Sequence, residues 1–432
     1  MAHDDIRQLI EARWPDPDGG APLCVATRSV VIERSLAGDE AELVRALGLG
    51  PAFAVVSDPA TREVLGARVE RALASLGTVV PVVLGDRPHA DAETAAAIGR
   101  ASAAADVLVA VGSGTINDLC KHAAAGAGKP YVVFATAPSM NGYTSANAAI
   151  TVNGHKKSLP ARPAQGVFMD LEVLAAAPLR MIAAGLGDSL CRTTAQADWL
   201  MSHLVRQTNY RRAPFVLLAA DEPVLLEHSD ALVNGNREAM HHLARTLALS
   251  GFGMSVCGGS YPASQGEHLI SHYLDTMVAG RSDDSLHGEQ IAVTTLTMAR
   301  VQERLLTDGP PRLSASSATR DTLVRRFGDA VGAECWEEFQ RKRLSRKAAE
   351  RLNERMAQNW SDIARQIEAI HISSHTLEKA LGRAGAPTKA QAIGVSDADY
   401  EAAVFGARYL RDRFTFLDLA DDAGRLGDLW RG

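Results

Sequence analysis

Short apolar runs alternate with amphipathic stretches along the first part of the chain. The runs are rich in valine and each ends at a turn or polar residue, as is typical of strands buried on both faces. They occupy residues 52–58, 78–86, 106–112, 131–137 and 166–171. The stretches between the first three runs, ATREVLGARVERALASLG and ADAETAAAIGRASAA, have helical spacing. The pattern predicts a Rossmann-like α/β domain with a parallel sheet covered by helices.

Beyond residue 171 the pattern becomes helical and stays so. The stretches APLRMIAAGLGDSLCRTTAQADWLMSHL, NREAMHHLARTLALSGFGM and GEHLISHYLDTM all have apolar residues at helical spacing. A boundary near Pro178, just after the last predicted strand, therefore divides the chain. We predict an α/β domain over residues 1–177 and an all-α domain over residues 178–432.

Composition narrows the class of protein. The 432 residues carry a formal charge of −6, which gives no reason to expect a nucleic-acid partner. No apolar run reaches the roughly 20 residues that span a bilayer, and the start MAHDDIRQLIEARWPD lacks the regions of a signal peptide. The five scattered cysteines show no zinc or disulfide spacing. We expect a soluble, cytoplasmic protein with no membrane partner, and a homo-oligomer remains open.

A glycine-rich turn joins the third run to a helix in GSGTINDLCKHAA. Gly112 and Gly114 allow a sharp backbone turn, and Thr115 and Asn117 open the helix that follows. Amide groups at such a helix start, and the positive end of its dipole, can bind phosphate. The spacing is neither that of the dinucleotide fingerprint nor that of a Walker loop, so a simple tight turn is the alternative.

Two other strand ends carry polar groups. Asp58 follows the first run, where its carboxylate can accept hydrogen bonds from a ribose diol and disfavour the extra phosphate of NADP. An N-cap for the next helix is an equally natural role. Residues 134–151 form a polar segment of small residues, which we expect to be a loop at the ligand-binding edge of the sheet.

Three histidines and one aspartate form the strongest candidate constellation. Four-residue spacing puts His268 and His272 on one helix face, and His287 follows in a polar turn. Asp188 lies in a Gly-x-Gly-Asp turn, where an N-cap is the alternative role. One carboxylate and two imidazoles suit zinc, iron(II) or nickel and leave an open coordination position. Core histidines bonded to carbonyl groups remain the alternative to metal ligation.

Several of these segments together resemble one family. VGSGTINDLCKHAA, GKPYVVFATAPSMNGYTSANAAIT, AAGLGDSLCRTTAQADWLMSHL, PASQGEHLISHYLD, LHGEQIAV, APTKAQAIGVS and RDRFTFLDLA resemble the glycerol-1-phosphate dehydrogenase branch of the iron-containing alcohol dehydrogenase and dehydroquinate synthase superfamily. The resemblance implies a nucleotide domain, an all-α domain and an active site in the cleft between them. It also implies that residues 1–177 bind the dinucleotide and residues 178–432 bind metal and substrate.

The resemblance assigns roles to individual residues. It implies one divalent metal, whether zinc, nickel or iron, held by Asp188, His268 and His287, with His272 beside the substrate. It implies NAD or NADP as the coenzyme. The expected cofactor residues, with Asp58 from the strand-end argument, are Asp58, Gly112, Ser113, Gly114, Thr115, Asp118, Thr136, Ser139 and Ser145.

The implied reaction is reversible hydride transfer between NAD(P)H and glycerone phosphate, a small phosphorylated substrate, giving sn-glycerol 1-phosphate. Two residues depart from the pattern of the branch. Asn141 replaces an aspartate near the substrate hydroxyls, and Tyr261 replaces an arginine before the first ligand histidine. We expect Asn141 and His272 to be the catalytic side chains. A reductase of another small ketone or aldehyde, a dehydroquinate synthase-like cyclase, and a non-catalytic nucleotide-binding protein are the alternatives.

Overall fold

The structure is a computed structural model that describes residues 4–152, 155–278 and 285–431 of the chain. The described residues form two compact units. The first comprises those of Met1–Ser189, Arg212–Ser260 and Arg383–Gly385, and the second comprises those of Leu190–Arg211, Tyr261–Gly382 and Ala386–Gly432. The first stretch of the first unit thus ends at Ser189, and the chain returns to that unit at Arg212. The sequence placed a single boundary after residue 177.

A parallel six-stranded sheet is the centre of the first unit. Its strand order is β1-β8-β5-β4-β2-β3, and a separate antiparallel pair joins β6 and β7. The strands are β1 (Ser29–Glu33), β2 (Ala52–Ser57), β3 (Thr78–Val83), β4 (Val107–Gly112), β5 (Tyr131–Ala135), β6 (Asn147–Val152), β7 (His155–Pro160) and β8 (Gly166–Asp170). The predicted parallel sheet is confirmed, and all five predicted apolar runs form its strands.

Three strands, β1, β6 and β7, lay outside the prediction. Strand β1 lies at one edge of the sheet beside β8, and its half-exposed residues give only a weak apolar signal. The end of the segment predicted as a loop over residues 134–151 is strand β6, so that prediction was wrong there. In β6, Ala148 and Ile150 are buried while their neighbours are partly exposed, an alternation typical of a strand with one covered face.

Helices account for most of the remaining described chain. Helix bounds are α1 (Asp5–Ile10), α2 (Glu40–Arg45), α3 (Pro59–Thr61), α4 (Ala67–Leu73), α5 (Ala92–Ala101), α6 (Gly114–Ala127), α7 (Leu171–Ala175), α8 (Leu179–Leu190), α9 (Arg192–Arg206), α10 (Ala213–Val216), α11 (Glu222–Glu227), α12 (Ser229–Val233), α13 (Arg237–Val256), α14 (Gly266–Met277), α15 (His287–Thr307), α16 (Arg320–Phe327), α17 (Asp329–Gln340), α18 (Arg346–Glu368), α19 (Ser374–Arg383), α20 (Asp397–Gly406), α21 (Phe416–Asp422) and α22 (Leu426–Leu429). A π-helical turn (Arg62–Gly66) joins α3 to α4, and 3₁₀ turns cover Ala390–Ile393 and Ala407–Tyr409.

Helix α13 explains why part of the helical sequence belongs to the first unit. It packs against β1 and α7, and α10, α11 and α12 pack against it in turn. Leu243, Leu247 and Phe252 of α13 are fully buried. The apolar face of α13 therefore joins residues 213–256 to the sheet. The spacing of apolar residues predicted this helix, but it could not indicate that the helix packs against the sheet.

The core of the second unit is helical and contains buried charges. Helices α9, α14, α15 and α18 supply much of its apolar cluster. Within it, Asp418 Oδ2 accepts from Lys342 Nζ at 2.9 Å, and Asp418 Oδ1 accepts from Arg408 Nε at 3.1 Å. All three side chains are at most 2% exposed. Among the described residues, no helix combines the length and apolarity needed to cross a membrane.

We expect Asp418→Asn to lower the free energy of unfolding by about 3–5 kcal/mol. An asparagine presents only one oxygen, so its NH₂ group must face one of the two buried cations. Urea denaturation measures the change. The matched control is Asp362→Asn in an exposed ion pair with Arg365, which should leave the urea midpoint nearly unchanged. Equal midpoints for the two variants would contradict a role for the buried cluster.

Candidate metal and cofactor site

Three histidine rings lie together in the second unit. His268 and His272 are one turn apart on α14, and His287 is the first residue of α15. The ring centroids of His268 and His287 are 5.2 Å apart, and His272 lies 6.2 Å from His268 and 6.5 Å from His287. The sequence placed His287 in a turn, most of which lies outside the described residues, and the structure makes His287 the first residue of α15. The three imidazole rings therefore form one cluster.

The ring of His268 is oriented by a buried carboxylate. His268 Nδ1 is 3.0 Å from Glu267 Oε1, and Glu267 also accepts from the amide of Gln265 at 2.7 Å and from Thr194 Oγ1 at 3.2 Å. Contact through Nδ1 leaves Nε2 as the atom that His268 can offer to a ligand. Nearby Asp198 is also buried, and burial together with the charge of Glu267 raises its pKa to about 8.

Hydrogen bonds fix the start of α15, and so the position of His287. The carboxylate of Glu289 accepts from the amide of Leu286 at 2.7 Å, which caps the first turn. Gln290 accepts from Ser271 Oγ of α14 at 2.7 Å and donates to Asp275 Oδ1 at 3.1 Å. Side chains of the two helices that carry the histidines are thus linked directly.

Asp188 lies inside α8, so its alternative role as an N-cap is wrong. The backbone amide of Asn141 donates to Asp188 Oδ2 at 2.7 Å, and Asn141 Nδ2 donates to the Asp188 carbonyl oxygen at 3.3 Å. One turn earlier, an added Cβ at Gly185 would lie 1.6 Å from the carbonyl oxygen of Pro138. Glycine is therefore required for α8 to approach the segment after β5.

Asp188, His268 and His287 each offer one ligand atom, and these atoms lie within 4.8 Å of one another. A carboxylate oxygen and two imidazole nitrogens suit zinc, iron(II) or nickel, so the donor set fits a divalent cation. Cys191, Glu267 and His268 form a second such group. The oxygens of Glu267 already accept the hydrogen bonds described above, which makes that second set the poorer one.

The glycine-rich turn connects β4 to α6 as predicted. An added Cβ at Gly112 would lie 2.5 Å from Ile116 Cβ, and one at Gly114 would lie 3.0 Å from Met140 Cγ. Ser113 is the N-cap residue, but its side chain makes no capping hydrogen bond. The amides of the first turn of α6 are therefore not satisfied by a side-chain cap of their own, as a phosphate site requires.

Lys121 is a buried cation that the sequence analysis missed. Its Nζ donates to the carbonyl oxygens of Gly142 at 2.6 Å and Asn147 at 2.9 Å, and to Ser145 Oγ at 3.1 Å. Burial lowers its pKa, and nearby Asp118 opposes that change. The available signal was a lysine three residues after an aspartate on the apolar face of α6, a position where charge is rare.

Asp118 also binds the backbone after β5. Its Oδ2 accepts from the amide of Ala149 at 3.0 Å, and its Oδ1 accepts from Asn117 Nδ2 at 3.0 Å. The carboxylate therefore joins α6 to β6. It is only partly exposed, with 15% of its side chain accessible.

The hydroxyl-rich segment after β5 is held at several points. Thr136 continues from β5, with its amide donating to the Gly112 carbonyl oxygen at 3.1 Å. Tyr143 Oη donates to the Ala137 carbonyl oxygen at 2.7 Å, and Ser139 also hydrogen-bonds Tyr143. Burial raises the pKa of Tyr143. Thr144 Oγ1 donates to the Ala248 carbonyl oxygen of α13 at 2.6 Å.

Asp58 caps a helix, as its alternative role predicted. Its Oδ1 accepts from the amide of Thr61 at 2.7 Å, and Thr61 Oγ1 accepts from the amide of Asp58 at 3.0 Å. Asp58 follows β2, Gly112 is the last residue of β4, and Thr136 follows β5; these three strands are neighbours in the parallel sheet. All three therefore lie at one edge of the sheet, where ligands of such folds bind.

Comparison with known proteins agrees with this fold. Residues 31–178 match the sequence model of the family described as iron-containing alcohol dehydrogenase. The structure resembles NADH-dependent butanol dehydrogenase A from Thermotoga maritima, with a TM-score of 0.63, 14% identity and coverage of 94% of this chain and 98% of that one. It also resembles a probable glycerol dehydrogenase from Sinorhizobium meliloti 1021, with a TM-score of 0.61, 19% identity and coverage of 93% and 97%.

The chain belongs to the iron-containing alcohol dehydrogenase family and is an oxidoreductase of that family. Within the family it is similar to glycerol-1-phosphate dehydrogenase (NAD(P)+) from Pyrococcus furiosus. The two sequences are 30% identical over 335 residues, which is 75% of this chain and 96% of that protein. The predicted family is thereby confirmed, and with it the expectation of an enzyme.

Substitution of Gly185 tests the close approach of α8 to the segment after β5. We expect Gly185→Ala to lower the free energy of unfolding by about 1–3 kcal/mol, because the new Cβ meets a backbone oxygen and not a movable side chain. Urea denaturation measures the change. Gly99→Ala is the control, since its Cβ would enter open space on α5 and should stabilise the helix slightly. A neutral Gly185→Ala variant would refute the contact.

Proposed function

We propose that this enzyme reduces glycerone phosphate to sn-glycerol 1-phosphate with NAD(P)H, reversibly and with the help of one divalent metal. The observation that carries the proposal is the convergence of ligand atoms from Asp188, His268 and His287 within 4.8 Å. The similarity to glycerol-1-phosphate dehydrogenase (NAD(P)+) supports the choice of substrate and coenzyme. A cytoplasmic location remains a prediction, as does assembly into a homo-oligomer.

The three ligands have separate supports in this proposal. His268 would bind through Nε2, because Nδ1 contacts Glu267. Asp188 would bind through Oδ1, because the Asn141 amide holds Oδ2. Asn141, predicted as a catalytic side chain, would then act mainly as a positioning residue for Asp188. Because the donor to Asp188 is the backbone amide of residue 141, an aspartate at that position could hold Asp188 in the same way.

The reaction adds a hydride and a proton to a carbonyl group. When bound, the cation supplies Lewis acidity at the carbonyl oxygen, and the reduced nicotinamide supplies the hydride. His272 lies one turn beyond His268, and its imidazole would donate the proton from a ring nitrogen to the product oxygen. The bulk of the second-unit helices around the histidines would exclude water from the reacting groups.

The dinucleotide would bind along the edge of the sheet described above. The first-turn amides of α6 at Ser113, Gly114 and Thr115 would receive the pyrophosphate. Thr136, Ser139 and Ser145 would line the nicotinamide half. In this arrangement Asp118 and Lys121 act indirectly, because their contacts hold the backbone of residues 142–149 in place. In this proposal, residues 1–177 would bind the dinucleotide, and residues 178–432 would bind the metal and the substrate.

The reaction is tested by NADH and NADPH oxidation at neutral pH with glycerone phosphate, glycerone and small aldehydes. Enzyme stripped of metal is reloaded with zinc, nickel or iron(II) in turn. We expect the highest kcat/KM for glycerone phosphate, with activity abolished by chelation and restored by one of the metals. Chiral analysis of the product should give sn-glycerol 1-phosphate. Preference for an unphosphorylated carbonyl compound would refute the proposed substrate but leave a metal-dependent reductase.

Two variants separate metal binding from proton transfer. We expect Asp188→Asn to weaken metal affinity by about 100-fold or more and to abolish turnover, since a negatively charged ligand is lost. His272→Ala should keep the metal but lose about 10²- to 10⁴-fold in kcat. Metal content by mass spectrometry and NADH oxidation give the two readouts. Exposed His375 of α19 supplies the control His375→Ala. Loss of metal from the His272→Ala variant would make His272 a ligand.

A further inference from the structure

Helix α13 meets the segment after β5 at a glycine. An added Cβ at Gly251 would lie 2.1 Å from Thr144 Oγ1. It would also lie 3.0 Å from the carbonyl oxygen of Asn141 and 3.1 Å from the backbone nitrogen of Ser145. Gly251 is buried inside α13, where alanine would favour the helix more than glycine does. The helix itself therefore does not require a glycine at this position, whereas the approach of residues 141–145 does.

Hydrogen bonds hold the same contact on both sides of Gly251. Thr144 Oγ1 donates to the carbonyl oxygen of Ala248 at 2.6 Å, three residues earlier in α13. Ser255 Oγ, four residues later, donates to the carbonyl oxygen of Thr144 at 3.2 Å. Thr144 is fully buried, and its β-branched side chain has few χ1 rotamers. Its hydroxyl cannot turn aside at little cost, so a methyl group at Gly251 would push the segment away from α13.

Asn141 connects this contact to a candidate metal ligand. Its carbonyl oxygen lies beside Gly251, and its amide donates to Asp188 Oδ2 at 2.7 Å. The two groups belong to one residue that lies outside the helices and strands, so a displacement of the carbonyl group also shifts the amide. A shift of about 1 Å would lengthen the contact with Asp188 beyond hydrogen-bonding distance.

We propose that Gly251 is a positioning residue for the metal site. The space beside its Cα lets the segment lie against α13, and from there the Asn141 amide orients Asp188. The inference rests on the proposed function, because it takes Asp188 as a metal ligand. Groups that orient a ligand through a hydrogen bond typically contribute about 10- to 100-fold to metal affinity. Metal affinity would thus depend on the packing of α13, which carries none of the three proposed ligands.

The test compares zinc binding by Gly251→Ala and by the wild type, measured on metal-free protein by competition with a chromophoric chelator. We expect Gly251→Ala to bind zinc about 10- to 100-fold more weakly, because Asp188 loses its amide donor. Gly253→Ala is the matched control on the same helix. The added Cβ at Gly253 would lie 2.9 Å from Pro214 Cβ, and its three nearest atoms all belong to Pro214. This control should lower the urea midpoint but leave zinc affinity unchanged.

Two outcomes of this comparison would overturn the proposal. The first is equal zinc affinity for Gly251→Ala and the wild type. The second is an equal loss of zinc affinity in Gly251→Ala and Gly253→Ala, which would make the effect a general consequence of crowding around α13.

Removal of the Thr144 hydroxyl provides a rescue that general destabilisation would not show. Thr144→Ala takes away the atom at 2.1 Å and leaves the backbone atoms at 3.0 Å and 3.1 Å as the nearest neighbours of the new Cβ. We expect the double variant Gly251→Ala/Thr144→Ala to bind zinc about fivefold or more tightly than Gly251→Ala alone. Losses that simply multiply across the two substitutions would contradict the contact on which the proposal depends.

Ser255→Ala decides the case in which Gly251→Ala does not fold. It removes a donor to the Thr144 carbonyl oxygen and adds no atom, so the fold should persist while zinc binding weakens by about 3- to 10-fold. Unchanged zinc affinity in that variant would overturn the proposal. Zinc binding needs no substrate, so the inference stands even if the wild type does not reduce glycerone phosphate. A wild type without zinc affinity would instead refute the proposed metal site, and the inference with it.

Discussion

The structure of the first unit depends on the backbone of residues 136–149 being held in one conformation. The segment has few apolar side chains of its own, so packing alone does not define it. Instead, Lys121 binds three of its oxygen atoms and Asp118 binds one of its amides. From this backbone the amide of Asn141 reaches the carboxylate of Asp188. A buried cation thus contributes indirectly to the orientation of a candidate metal ligand.

The second unit uses buried acids for a similar purpose. Glu267 orients His268, and Asp198 accepts from the amides of Gly266 and Phe416, which joins the start of α14 to the start of α21. Burying such groups costs free energy unless each is hydrogen-bonded. Here the donors are mostly backbone amides at helix starts, where unsatisfied amides already exist. These carboxyl groups therefore fix the starts of α14, which carries two of the histidines, and of α21.

Sequence reasoning predicted the elements that have a strong pattern of their own. The valine-rich strands, the turn at Gly112–Gly114 and the histidine pair of α14 all follow from local spacing. It missed β1, β6 and β7, where partly exposed residues dilute the signal, and it placed Asp188 in a turn because glycines on both sides of Leu186 suggest one. Gly185 is instead required by a neighbour distant in sequence, Pro138. Contacts of that kind, like those of Lys121, depend on tertiary structure and leave no periodic trace.

One edge of the central sheet has a consequence for how copies of the chain can associate. Strand β3 is the outermost strand on its side and pairs there only with β2 among the strands described. Pro81, opposite Val55, lies in the middle of β3 and has no amide hydrogen to donate. A foreign strand adding to this edge would lose a ladder hydrogen bond. The proline therefore protects the sheet from growing, by edge-to-edge pairing, into an aggregate.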